Sequence, residues 1–122
     1  MSEYLKRKID KFLFDWKANP DRKPLIIKGA RQVGKTKSIK TFAEQNYESI
    51  VEINFAEDPV YKQIVENGYS AEAVIKNISR INPEARFIKG KTLIFFDEIQ
   101  EFPDIATSLK FFSLDGNYDV IC

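Results

Sequence analysis

The run Gly29-Ala30-Arg31-Gln32-Val33-Gly34-Lys35-Thr36 has the spacing G-x-x-x-x-G-K-T, a pattern suited to capturing phosphate. Gly29 and Gly34 permit the backbone torsions and close approach with which successive N–H groups wrap a phosphate. Lys35 reaches the β- and γ-phosphates of a nucleoside triphosphate as a point charge, and the Thr36 hydroxyl offers a hard oxygen to Mg²⁺. Ala30, Arg31, Gln32 and Val33 inside the loop, with Lys37 just after it, are read as lining the same nucleotide site. At background residue frequencies such a match arises by chance in about 0.5% of chains this long.

A second constellation lies downstream. Thr92–Phe96 (TLIFF) is a hydrophobic run followed at once by Asp97-Glu98. A parallel sheet gathers its ligands at the carboxyl ends of its strands, so Asp97 is expected to meet the phosphate loop there. Asp97 is assigned to Mg²⁺, through a water, because that ion prefers hard oxygens and keeps several waters. Glu98, together with Lys35, is assigned to catalysis, with its carboxylate orienting and deprotonating the attacking water. Small-molecule kinases share the loop but usually lack this adjacent glutamate, so the pair favours hydrolysis over transfer to a metabolite.

The surrounding chain supplies elements to position both groups. Leu5, Ile9, Phe12, Leu13 and Trp16 recur at helical spacing over residues 3–17, with a basic face opposite. Asn19-Pro20-Asp21 breaks that helix. Pro24–Lys28 reads as a short buried strand running into Gly29, and residues 35–46 return to helical periodicity. Ile50–Phe55 is a second strand candidate, residues 59–67 and 71–81 two helices, and Thr92–Phe96 a third strand. Pro103 sits where the first turn of a helix tolerates proline. Tyr118–Cys122 is the fourth strand candidate. Strands alternating with helices predict an α/β fold, a parallel sheet flanked by helices. The chain stops inside its fourth strand, which leads us to expect a fragment or early-terminated product of a longer protein.

Composition narrows the alternatives. The chain has 122 residues, 43% hydrophobic and 30% charged, enough apolar material for one core. A formal net charge of +1 predicts no strong attraction to nucleic acid or anionic membrane as a whole. The absence of histidine excludes His-based metal sites, His general bases and Ser-His-Asp triads. Cys122 is the single cysteine, so an internal disulfide is impossible. No run approaches the ~18 apolar residues of a membrane span, and a soluble cytoplasmic protein is expected.

At PLIIKGARQVGKT (residues 24–36) and TLIFFDEIQEFPD (residues 92–104) the sequence resembles the AAA-type P-loop ATPases of bacteria and archaea, in which an ATPase domain precedes a separate C-terminal domain. The resemblance implies ATP as the nucleotide, with Mg²⁺, and no guanine-reading N-K-x-D motif stands against it. It also implies the additional-strand, catalytic-Glu division of that fold, with strands in spatial order 5-1-4-3-2. Residues 25–28 would then be strand one, 50–54 strand two, 93–97 strand three and 118–122 strand four. On this mapping residues 1–23 are an N-terminal helix and linker, and 24–122 a partial P-loop core. The fifth strand, the sensor residues, any arginine finger and the C-terminal domain would fall outside the chain. Hydrolysis is accordingly expected of a longer parent and is in doubt for this piece.

Other residues admit two readings. Arg31 and Gln32 either touch nucleotide or a neighbouring subunit, or are exposed loop positions. Gln100 and Glu101 either bind the C-terminal domain or form a solvated loop. Asn54 either hydrogen-bonds near the catalytic water or caps a loop. Phe95, Phe96, Phe111 and Phe112 are read as core, with self-association the alternative if some are exposed. The competing function is a module that binds ATP or ADP and gates an interaction without hydrolysis, or an incomplete fragment without activity. A nucleic-acid motor rests only on the basic face at Lys6–Lys11.

Overall fold

Thr92, Leu93, Ile94, Phe95, Phe96 and Asp97 are all buried and form the central strand, β2 (Thr92–Asp97), of a three-stranded parallel sheet. A strand buried on both faces reads as a continuous apolar run, and this is why its pattern does not alternate. The structure, a computed structural model, describes residues 3–27 and 34–122. β1 (Ser49–Asn54) pairs with β2 from Ser49↔Thr92 to Asn54↔Asp97, and β3 (Asp119–Ile121) pairs on the other side through Leu93↔Asp119 to Phe95↔Ile121. Beyond β3, Leu25 N–H donates to Val120 O at 2.9 Å, Cys122 N–H to Leu25 O at 2.8 Å and Ile27 N–H to Cys122 O at 2.9 Å. Residues 25–27 thus lie parallel beside β3. The lateral order, from this segment through β3 and β2 to β1, matches the expected 1-4-3-2 portion.

Helices cover both faces. Leu93, Phe95 and Ile121 point to one side and pack with Leu13, Ile39, Phe42 and Ala43 of α1 (Glu3–Ala18) and α2 (Lys35–Asn46). Ile94, Phe96, Val51, Ile53 and Val120 point to the other. There they meet Val74 and Ile78 of α3 (Ala71–Ile81) and Ile105, Leu109 and Phe112 of α4 (Ile105–Asp115). Phe96 stacks on Phe55 at 5.8 Å between ring centroids and meets Phe112 edge-on at 6.2 Å. Each such fully buried ring contributes roughly 1.5–3 kcal/mol. Phe95, Phe96 and Phe112 are therefore core, as expected, while Phe111 is half-buried.

Local chemistry accounts for the helix ends. Ser70 caps α3, its hydroxyl accepting the Ala73 N–H at 3.1 Å. Gly116 closes α4 in the left-handed region at φ 69, donating to Phe112 O. Three expectations need adjustment. Residues 59–67 are a 3₁₀ segment over Pro59–Val65, not an α-helix, with Pro59 at its start and Gly68 beyond its end. Strand one is a lone bridge at Leu25 flanked by ladder hydrogen bonds, and Lys28 lies outside the described residues. Pro103 precedes α4 instead of occupying its first turn: Asp104 is the N-cap, and Pro103 O receives the Ala106 N–H at 3.0 Å.

The sequence reading missed the joint that ties α1 and α2 to the sheet. Asp119, at the start of β3, accepts from Arg22 Nε at 2.9 Å and from the Tyr47 hydroxyl at 2.6 Å, with Lys17 Nζ at 3.8 Å. Trp16 of α1 donates its Nε1–H to Lys23 O at 2.8 Å, and its ring lies 6.4 Å from that of Phe42. The N-terminal helix is thereby packed on the core. Among the described residues no helix is long and apolar enough to cross a membrane.

Candidate functional site

The segment at residues 25–27 leads toward α2, and β2 ends at Asp97, on the same edge of the sheet. All strands run parallel, so their carboxyl ends share this edge. Here the Thr36 hydroxyl lies 3.3 Å from Asp97 Oδ2 as its hydrogen-bond donor, joining positions 61 residues apart. Asp97 is almost fully buried, and its other oxygen, Oδ1, accepts the Glu98 N–H at 2.9 Å. One carboxylate thus ties the start of α2 to the turn that carries Glu98.

The start of α2 is built to leave its amides available. Gly34 takes the N-cap position in the left-handed region at φ 70, where only glycine is at ease, and has no side chain with which to cap. No acidic residue occupies the first turn. The first amides of a helix lack intrahelical partners, and with the helix dipole they favour an anion. Lys35, one residue in, places its Nζ 3.3 Å from Ile27 O. Its charge also faces Cys122, whose thiol burial pushes up to about 12 while Lys35 pulls it down. Lys37 is exposed on the same turn.

Glu98 has positive φ, at 56, in contrast to every other non-glycine described residue. Its carboxylate Oε2 accepts from Gln100 Nε2, and its carbonyl accepts the Glu101 N–H at 3.1 Å, closing a short 3₁₀ turn over Ile99–Glu101. Asn54 lies opposite Asp97 in register, but its Oδ1 accepts the Ala56 and Glu57 N–H groups, both at 2.9 Å. It caps its own turn, the simpler of its two readings.

The structure therefore brings Lys35, Thr36, Asp97 and Glu98 to one edge, with Gly34 at the helix start. Gly29, Ala30, Arg31, Gln32 and Val33 lie outside the described residues. No group of three or more His, Cys, Asp or Glu side chains among the described residues could cage a metal. A hydroxyl and one carboxylate fit Mg²⁺ instead, an ion that takes few protein ligands and fills its shell with waters and phosphate oxygens. An open cleft of about 340 Å³ at the amino end of β3, lined by Trp16, Arg22, Pro24, Tyr118 and Asp119, contains none of the predicted residues.

No curated protein and no solved structure matches the chain. The family model described as AAA domain does match, over residues 21–122. With nearly the whole chain covered and an α/β parallel sheet flanked by helices, this protein belongs to the AAA domain family of P-loop, ATPase-like nucleotide-binding proteins.

Proposed function

We propose that this chain binds ATP with Mg²⁺ and that its site supports hydrolysis of the γ-phosphate. The observation that carries the reading is the Thr36–Asp97 contact at 3.3 Å, which joins the phosphate-loop helix to the acidic pair. In this reading residues 24–122 are the nucleotide-binding core and 1–23 its N-terminal helix and linker. The amides of Gly29–Thr36 receive the phosphates at the start of α2, and Lys35 leaves the Ile27 carbonyl to pair with them. Thr36 and Asp97 hold Mg²⁺, Asp97 through a water. When bound with nucleotide, the ion neutralises charge on the β- and γ-oxygens. Glu98 orients the attacking water and takes its proton.

The test is a titration with a fluorescent ATP analogue and Mg²⁺, in parallel with Lys35→Ala, followed by phosphate-release measurements on the wild type and Glu98→Gln. We expect Lys35→Ala to lose binding, and Glu98→Gln to bind as the wild type does without turning over. Wild-type turnover in Glu98→Gln would remove Glu98 from its assigned role. Binding without phosphate release by the folded wild type would favour a nucleotide-gated interaction module.

A further inference from the structure

The geometry points to Gln100 as the residue that positions the Glu98 carboxylate to orient and deprotonate the water that attacks the γ-phosphate, an inference that rests on the hydrolytic reading above. Glu98 sits in the left-handed region at φ 56, a conformation that is strained for a non-glycine residue. Such a conformation persists where the surroundings over-determine it. Three bonds do so here. The Glu98 N–H is held by Asp97 Oδ1 at 2.9 Å, and its carbonyl by the Glu101 N–H at 3.1 Å. The third, from Gln100 Nε2 to Glu98 Oε2, fixes the carboxylate itself.

The short turn makes this contact local and reproducible. Closing the backbone from Glu98 O to Glu101 N folds Ile99–Glu101 into a single 3₁₀ turn, bringing the side chain two residues on back over Glu98. A carboxylate has roughly four acceptor sites. The Gln100 amide takes one of these sites and restrains the carboxylate's rotation. Among the described residues Asn54 also ends at this edge, where its carbonyl oxygen is engaged by the Ala56 and Glu57 N–H groups. Gln100 is exposed and contributes nothing to the core, so loss of packing does not explain its place.

Wild type, Gln100→Ala, Gln100→Glu, Glu98→Gln and the Glu98→Gln/Gln100→Ala double variant are compared by steady-state phosphate release with excess Mg²⁺. Fluorescent-ATP affinity and thermal midpoint are read in parallel. Gln100→Ala is expected to lower kcat by about tenfold or more, with KM, nucleotide affinity and thermal midpoint close to wild type. Gln100→Glu, which opposes Glu98 with a like charge, is expected to lose at least as much. In the Glu98→Gln background Gln100→Ala is expected to add nothing, since the two residues act as one unit. A second measurement needs no turnover: the Gln100 side-chain amide NMR resonances should shift in Glu98→Ala. Wild-type kcat in Gln100→Ala, a raised kcat, or unmoved amide resonances overturn the inference while leaving Glu98 as the base. Wild-type turnover in Glu98→Gln, or no phosphate release by the wild type, overturns the underlying reading and this inference with it.

Discussion

The Thr36 hydroxyl lies 3.3 Å from the Asp97 carboxylate, so the start of the loop helix and the end of the central strand touch. Two hard oxygens held this close present a ready edge to a divalent cation. Asp97→Asn keeps the volume and removes the charge. We expect it to abolish the increment in ATP-analogue affinity that Mg²⁺ provides, leaving the affinity measured in chelator. Titrations with and without Mg²⁺ check this, and a Mg²⁺ dependence like that of the wild type counts against Asp97.

Among the described residues Lys35 has no acidic partner at its Nζ, which rests 3.3 Å from the Ile27 carbonyl. A charge-assisted contact to phosphate contributes about 1.5–3 kcal/mol. Lys35→Ala should therefore weaken nucleotide binding by about 10- to 100-fold at unchanged thermal midpoint, as read by fluorescence titration and thermal unfolding.

Gly34 begins α2 at φ 70. Any residue with a Cβ is strained there, so Gly34→Ala should lower stability by about 1–2 kcal/mol and weaken nucleotide binding through the displaced helix start. Denaturant unfolding and the same titration measure the two effects. A variant as stable and as tight-binding as the wild type would show that the left-handed conformation is not required.

Tyr47 donates to Asp119 at 2.6 Å and is half-buried. Tyr47→Phe removes the donor and leaves the carboxylate with Arg22 and Lys17. A loss of about 1–3 kcal/mol is expected, visible as a lower urea midpoint with an unchanged slope.

Burial pushes the Cys122 thiol from its ordinary 9.0 up to about 12, with Lys35 opposing the shift. The unfolded chain thus releases this proton from about pH 9 upward while the folded protein keeps it. Stability is accordingly complete below pH 9 and falls between 9 and 12, by up to about 1.4 kcal/mol per pH unit. The Tyr47 hydroxyl, raised by burial and by Asp119, acts in the same direction above pH 10. Cys122→Ala should flatten the fall between pH 9 and 11 in urea melts taken at successive pH values. An equally steep fall in the variant would assign the loss to other groups.

Much of this architecture was legible in the sequence because it is written in short-range patterns. The 3.6-residue recurrence of Ile39, Phe42 and Ala43 marks α2, and the unbroken TLIFF run marks a strand buried on both faces. Residues 59–67 form a 3₁₀ segment where an α-helix is expected, because apolar positions three apart suit both kinds of helix alike. Pro103 stands just before the N-cap of α4 instead of inside its first turn, since proline is tolerated at both places.

By itself, the sequence determined the α/β class, the loop and the acidic pair, and their order along the chain. Those features depend on residue type and spacing within a few positions. Tertiary structure decided what depends on contacts between distant positions. The order of the strands brings Thr36 to Asp97 across 61 residues, and the start of β3 makes Asp119 a joint for Arg22, Lys17 and Tyr47. It also holds Glu98 in a left-handed turn with Gln100 over its carboxylate. No local pattern encodes the Thr36–Asp97 and Asp119 pairings, because they are set by the lateral stacking of parallel strands and the burial that stacking enforces.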